Sequence, residues 1–248
     1  QMEKQAQAKK EQAEVFAHKG WKLRLVAKKM REAAAEMEDS MVDVRKEDKT
    51  IRSFTIPHQE EMSWAIITLS SVQVIKNHEA VERPIEISLK KWEHLLLSGP
   101  NGIWKSTLLE AIANGTQKWC HIQDGIRVWY YRQDFSTLNY NHTVWESLRE
   151  AAGKNMPEQE LRAIAAWFLI TGDLIKSPVG VISEGQKWLL SFARLVMQRP
   201  GLLILDEPTN HINFRHLPII AEALDKYEGA MILVSHVNEF LRQIRIDS

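Results

Sequence analysis

The chain of 248 residues has one cysteine, Cys120, and its charges balance, with 32 basic and 32 acidic residues. A single cysteine excludes an internal disulfide and suits a reducing compartment. Balanced charge excludes a global field toward nucleic acid or membranes, so any such surface must be local. No apolar run approaches the roughly 18 residues of a membrane-spanning helix, and no secretory signal segment opens the chain. These absences predict a cytoplasmic protein with no membrane partner.

Glycine is also scarce, whereas tryptophan is abundant. An average usage of about 7% predicts roughly 17 glycines in a chain of this length, but the sequence has 11, together with 9 tryptophans. Replacing about six tryptophans by glycine would restore the ordinary glycine content.

The first 50 residues lack proline and are rich in strong helix formers, which predicts two helices broken near Gly20. Six basic residues with no acidic residue among them surround the break: Lys19, Lys22, Arg24, Lys28, Lys29 and Arg31. Such a charge run fits either a solvated helix face or a surface that contacts an RNA phosphate backbone. Because the chain opens on Gln1 rather than methionine, we expect a fragment of a longer protein.

The remainder alternates short apolar runs with helical segments. The runs HLLLSG (94–99), GLLILDEP (201–208) and MILVSH (231–236) are nearly continuous in apolar residues. This pattern is typical of strands buried on both faces of a mostly parallel sheet, and it predicts an α/β fold.

The segment LSGPNGIWKSTLL (97–109) differs at one position from the phosphate-binding pattern G-x-x-x-x-G-K-[ST]. Its position between a strand and a helix is the required context, since backbone N–H groups and the helix N-terminus bind phosphates there. Trp104 occupies the place of the second glycine. The candidate nucleotide-binding residues are Gly99, Pro100, Asn101, Gly102, Trp104, Lys105, Ser106 and Thr107.

Further polar residues follow other predicted strands. Asp206 ends one apolar run and is a candidate magnesium ligand, and Glu207 is a candidate to orient and deprotonate an attacking water. His236 follows another run, and Gln133 lies in the polar break YYRQDFSTLN. The segment SEGQ, with Ser183, Glu184, Gly185 and Gln186, begins a long amphipathic helix whose N–H groups face a potential phosphate.

Together these motifs resemble an ATP-binding cassette (ABC) ATPase over residues 64–247, in order and spacing. The resemblance implies a cassette with a phosphate-loop core, a β subdomain and a helical subdomain at about 135–200. It implies ATP and Mg²⁺ as ligands, with Ser106, Gln133 and Asp206 at the metal and Glu207, His236 and Gln133 in catalysis. It also implies a second cassette as partner, since ATP lies between one phosphate loop and the opposite signature.

The run DEPTNHIN is similar to the DEPTNHLD of the ABC-F proteins, which join two cassettes through a charged helical linker. Residues 1–57 then correspond to the linker and 58–248 to a cassette. The resemblance implies that the linker contacts the ribosome and transfer RNA through the basic bend. The ATP-binding subunit of a membrane transporter is an alternative, but such a subunit has no use for a basic helical hairpin before its cassette.

Several residues depart from the family pattern. Asn213 stands where aspartate is usual, and Lys76 falls near the place of an aromatic residue that stacks on adenine. Trp104 would place an indole where backbone and phosphate must meet. If it is genuine, the chain is a non-hydrolysing cassette.

The other interpretation is that UGA codons, read as glycine in the source, were translated as tryptophan. This hypothesis covers Trp104 and most of Trp21, Trp64, Trp92, Trp119, Trp129 and Trp188. Trp145 lies in a helical run and is expected to be genuine, while Trp167 is left open.

Overall fold

The structure is a computed structural model that describes residues 49–62, 64–76, 79–99 and 105–247. A compact unit begins at Ile51, earlier in the chain than the predicted boundary after residue 57. Ile51, Phe54 and Ile56 are buried in the main core. The division into residues 1–57 and 58–248 stays a prediction. The basic bend, from Lys19 to Arg31, lies outside the described residues.

The described strands form two sheets. In chain order they are β1 (Ala65–Lys76), β2 (Glu79–Lys90), β3 (His94–Leu96), β4 (Cys120–Ile122), β5 (Val128–Tyr131), β6 (Leu202–Asp206) and β7 (Ala230–Val234). One sheet has the order β2-β1-β4 and is antiparallel. The other has the order β3-β7-β6-β5 and is parallel throughout. The predicted α/β fold is confirmed.

The parallel sheet lies between two hydrophobic cores. Leu203 and Leu205 of β6 belong to the core that contains the helical segment, whereas Leu202 and Ile204 belong to the core shared with the antiparallel sheet. All five residues of β6 are buried. The apolar run therefore reflects a strand with both faces covered, since successive side chains of a strand point to opposite faces.

The described helices are α1 (Lys105–Asn114), α2 (Val144–Ala152), α3 (Glu158–Trp167), α4 (Glu184–Gln198), α5 (Leu217–Asp225) and α6 (Asn238–Leu241). Helices α2, α3 and α4 fall within the segment predicted as the helical subdomain, about residues 135–200. Arg194 of α4 joins two of them, because its guanidinium donates to the carbonyl oxygen and hydroxyl of Ser147, both at 2.7 Å. The α2–α4 packing thus has a polar link beside its apolar contacts.

Trp92 lies in the turn between β2 and β3 in an unusual backbone conformation. Its φ is 74°, and its side chain is exposed. This left-handed region favours glycine and costs other residues roughly 1–2 kcal/mol. The conformation supports the glycine hypothesis at this position, which stays a prediction.

Other tryptophans pack against neighbouring side chains in the described structure. Trp188 is fully buried and its ring stacks on Phe192, with centroids 4.0 Å apart. Trp129 is buried within β5. The ring centroid of Trp145, in α2, lies 4.6 Å from Cζ of Arg162. Neither Trp129 nor Trp188 has a backbone conformation that requires glycine. Trp21 and Trp104 lie outside the described residues.

Candidate active site

Four predicted site residues follow the carboxyl ends of the four parallel strands. Lys105 begins α1, the helix after β3, and Gln133 lies two residues beyond β5. Glu207 directly follows β6, and His236 lies two residues beyond β7. Because the carboxyl ends of parallel strands share one edge of a sheet, motifs far apart in sequence meet there.

Lys105, Glu207 and His236 form a contact network at this edge. The Lys105 ammonium donates to the carbonyl oxygen of Gly99 at 2.6 Å, and its Nζ lies 3.0 Å from His236 Nε2. The same Nε2 is 3.1 Å from Glu207 Oε1, and the backbone N–H of His236 donates to Oε2 at 3.3 Å. A ring nitrogen is either a donor or an acceptor. The tautomer therefore decides whether Nε2 accepts a hydrogen bond from Lys105 or donates one to Glu207.

The carboxylate of Glu207 is well placed to act as a base. Its side chain is 14% exposed, compared with 46% for His236. Its φ of 49° places it in the left-handed region, and its backbone N–H donates to the carbonyl oxygen of Val234 at 2.9 Å. A strained, non-glycine backbone at such a position is typical of functional sites.

Asp206 lies beside an open cleft of about 410 Å³. Asp206 is 5% exposed at the end of β6, and Ser106 and Gln133 line the same cleft. A carboxylate, a hydroxyl and an amide oxygen are the hard ligands that Mg²⁺ accepts alongside substrate phosphates. The predicted metal residues are therefore brought together. Within the described ranges, no group of three or more His, Cys, Asp or Glu side chains could hold a metal ion.

Arg132 and Asp134, which the sequence analysis missed, line this cleft, and Glu110 and Tyr130 contact residues of its lining. Arg132 pairs with Glu110 at 3.0 Å and with Asp134 at 3.3 Å. Burial opposes ionisation of Asp134, but hydrogen bonds from Ser136 and the charge of Arg132 prevail and lower its pKa. The hydroxyl of Tyr130 donates to the carbonyl oxygen of Ser106 at 3.3 Å. Burial, aided by the charge of Asp206, raises the pKa of Tyr130, so that phenol stays neutral.

The predicted signature residues begin helix α4 in a reciprocal cap. The hydroxyl of Ser183 accepts from the N–H of Gln186 at 3.2 Å, and the Gln186 side chain accepts from the N–H of Ser183 at 2.9 Å. This capping box fixes the first turn of the helix. Glu184 lines the cleft with Ser106 and Asp206, and Gly185 lies close to the carbonyl oxygen of His211.

His211 and Lys187 also line this cleft and were missed. His211 Nδ1 is 2.8 Å from Glu184 Oε2, and the Lys187 ammonium lies 4.8 Å from the Tyr140 ring centroid. In the sequence, His211 lies within the run DEPTNHIN and Lys187 lies four positions after Ser183. Neither position indicates which residues the side chain contacts. Thr107 lies on α1 and is exposed, and the side chain of Asn213 accepts from the N–H of Arg215 at 3.1 Å.

Some predicted residues cannot be placed. Pro100, Asn101, Gly102 and Trp104 lie outside the described residues, as do the six basic residues of the bend. That Trp104 blocks the phosphate loop therefore stays a prediction.

Comparison with known proteins identifies the class. The family model described as "ABC transporter" matches residues 83–210, about half of the chain. The chain belongs to this family of ATP-binding cassettes. In the part of the chain that the structure describes, no helix has the length and apolar character needed to cross a membrane.

Sequence relatives place the cassette with the ABC-F proteins. The chain is 36% identical to "Probable ATP-binding protein YbiT" of Escherichia coli O157:H7, over 64% of this chain and 31% of that protein. It is 29% identical to "ATP-binding cassette sub-family F member 2" of Mus musculus, over 79% of this chain and 32% of that protein. The chain thus spans about a third of the length of these relatives. The recognised ABC-F resemblance is confirmed.

Solved structures share the fold. A dimeric, post-hydrolysis state of the ATP-binding cassette MJ0796 bound to ADP and Pi has a TM-score of 0.57 at 18% identity, covering 72% of this chain and 91% of that chain. The archaeal ribosome recycling factor aABCE1, in complex with the ribosomal stalk protein aP1, has a TM-score of 0.58 at 21% identity, covering 78% of this chain and 39% of that one. At these identities the likeness concerns the fold alone.

Proposed function

We propose that this chain is the ATP-binding and hydrolysing cassette of an ABC-F type translation factor, as part of a longer two-cassette protein. The observation that carries the proposal is the network of Lys105, His236 and Glu207, which unites three predicted motifs at one sheet edge. The length of the relatives and the dimeric cassette among the solved structures support a second cassette as partner.

Each residue then has a role that its position supports. Lys105 binds the terminal phosphates of ATP, and Glu207 orients a water molecule and accepts its proton. His236 holds the Glu207 carboxylate through its ring and its backbone N–H. When Lys105 engages phosphate, Nε2 of His236 is left to donate to Glu207, so binding of substrate and orientation of the base are linked.

Ser106, Gln133 and Asp206 would hold Mg²⁺, which when bound neutralises developing phosphate charge. Ser183 and the first N–H groups of α4 would contact the nucleotide of the opposite cassette, because one cassette contributes only half of each site. A cytoplasmic location follows from this role in translation.

The ribosomal part of the proposal rests on the ABC-F relatives and on the basic bend of the arm. Contacts between Lys or Arg and RNA phosphates release counterions, and therefore weaken steeply with salt. Reversal of Lys22, Arg24, Lys28 and Lys29 to glutamate should abolish ribosome binding in a co-sedimentation assay and spare basal ATPase activity. Equal binding of parent and variant across a salt series would leave the arm as a solvated helix.

A further inference from the structure

The loop that carries Glu207 lies against the first turn of the signature helix α4. His211 Nδ1 is 2.8 Å from Glu184 Oε2. The carbonyl oxygen of His211 lies 3.6 Å from the position that a Cβ on Gly185 would occupy, which is van der Waals distance. Side chain and backbone of His211 therefore both face the beginning of α4.

A second link joins this loop to the helix. The indole N–H of Trp188 donates to the carbonyl oxygen of Pro208 at 2.8 Å, and this bond is buried. If residue 188 is glycine in the native protein, this bond is lost. The Glu184–His211 pair does not include residue 188.

The imidazole of His211 lies where three segments of the site meet. Its ring centroid is 5.6 Å from that of Phe135, a buried residue two positions after Gln133. Its φ is 65°, in the left-handed region that histidine and asparagine enter more readily than most residues. Only 29% of its side-chain surface is exposed. The surroundings thus fix both its backbone and its ring.

A short turn connects His211 to the proposed base. The backbone N–H of Asn210 donates to the carbonyl oxygen of Glu207 at 3.1 Å, which closes the turn between them. The segment between Glu207 and His211 is therefore a closed turn rather than an extended loop.

We infer that His211 is a positioning residue that couples the signature helix, through Glu184, to the orientation of Glu207. The inference rests on the proposed ATPase function and deepens it. When α4 moves to engage a phosphate of the opposite cassette, the Glu184–His211 pair moves the Glu207 loop with it. Hydrolysis is then linked to engagement of the second cassette.

Stability alone does not explain this pair. Glu184 has 65% of its side-chain surface exposed, and ion pairs at such positions add little to folding free energy. A merely structural role therefore predicts small effects on both unfolding and catalysis. A positioning role predicts a small effect on unfolding and a clear effect on kcat.

The kinetic test compares His211→Ala with His211→Asn in the full-length protein. Asparagine tolerates the left-handed backbone and places an N–H donor near the position of Nδ1. We expect His211→Ala to lower kcat about tenfold with little change in KM for ATP. His211→Asn should retain most of the parental kcat. The double variant Glu184→Ala/His211→Ala should be no slower than the slower single variant, because each substitution removes the same Glu184–His211 contact.

A second measurement is independent of ATP hydrolysis. In ¹⁵N spectra of the histidine rings, Glu184→Gln should shift the His211 resonances and leave those of His94 unchanged, since both ring nitrogens of His94 face backbone carbonyls. Unchanged His211 resonances, or parental kcat in His211→Ala of an active protein, would overturn the role of His211 alone. A parent protein that hydrolyses ATP neither with Trp104 nor with Trp104→Gly would overturn the proposed function and this role together.

Discussion

The ring and the backbone of His236 both face the carboxylate of Glu207. Nε2 lies 3.1 Å from Oε1, and the main-chain nitrogen lies 3.3 Å from Oε2. Two contacts to two different oxygens hold the plane of the carboxylate as well as its position. The parallel sheet makes this possible, because β6 and β7 are neighbours and end at the same edge.

His236→Ala should therefore lower kcat by about 10- to 100-fold, because Glu207 keeps one of the two contacts that orient it. ATP binding, measured by equilibrium titration, should change much less. His121→Ala is a matched control, since His121 is an exposed histidine of β4 away from the cleft. Equal kcat values for the two variants would remove His236 from the site.

Residue 104 lies in the predicted phosphate loop, and we expect its identity to decide whether ATP can bind there. We expect a UGA codon at position 104 and a glycine in peptide mass spectra of the native protein. The chain with Trp104 should bind ATP poorly, and Trp104→Gly should raise the affinity more than about tenfold, because a Cβ-bearing residue blocks close approach of backbone and phosphate. A UGG codon there, or equal affinities, would contradict this prediction.

Trp92 allows a test of the glycine hypothesis through stability. The N–H of Trp92 donates to the carbonyl oxygen of Glu228, and its own carbonyl accepts from Arg245, so these contacts hold the backbone at a positive φ. Trp92→Gly should be more stable than Trp92→Ala by about 1 kcal/mol in urea unfolding. Both variants lose the indole, and only alanine keeps the strained Cβ. Equal stability of the two would show that the turn does not require glycine.

Stability should fall as the pH drops below neutrality, because two buried histidines favour their neutral forms. Burial lowers the pKa of His94, and burial together with the charge of Arg215 lowers the pKa of His216. A group whose folded pKa lies below its ordinary value of 6.5 takes up its proton more readily in the unfolded chain, so protonation favours unfolding.

The free energy of unfolding should therefore be lower at about pH 5.5 than at about pH 7.5. His216→Asn removes one titrating ring and keeps an acceptor near Nδ1, which faces the N–H of Ile51. The pH dependence of this variant should be weaker than that of the parent. A parent whose stability rises on acidification in this range would contradict the burial argument.

The sequence predicted the parallel sheet and most of the residues of the candidate site at its edge, because a continuous apolar run followed by a polar residue is typical of a buried strand that ends at a site. Asp206, Glu207 and His236 stand at the ends of such runs or within two residues of them, and Lys105 begins the helix that follows another. The strand order β3-β7-β6-β5 could not be predicted from these runs alone, since they are alike in composition and carry no information on their neighbours.

Tertiary contacts account for what the sequence did not predict. Glu184 and His211 belong to different motifs, and no periodicity indicates that they meet. The compact unit begins at Ile51 because Ile51, Phe54 and Ile56 are buried in the main core. This short apolar segment has no strand or helix spacing that predicts its burial. Burial of such a segment depends on the surface that receives it.

The central claim is that Glu207 is the base of an ATP-hydrolysing cassette, and Glu207→Gln tests it most directly. Glutamine keeps the size and an oxygen acceptor but cannot take a proton, so only the transition state loses its partner. The comparison is made in the full-length protein, once with Trp104 and once with Trp104→Gly. In each background we expect the ATP affinity of Glu207→Gln to stay within about threefold of the protein with Glu207, and its kcat to be at least about a hundredfold lower. The ATP-bound closed form should accumulate. Parental turnover in Glu207→Gln would contradict the account.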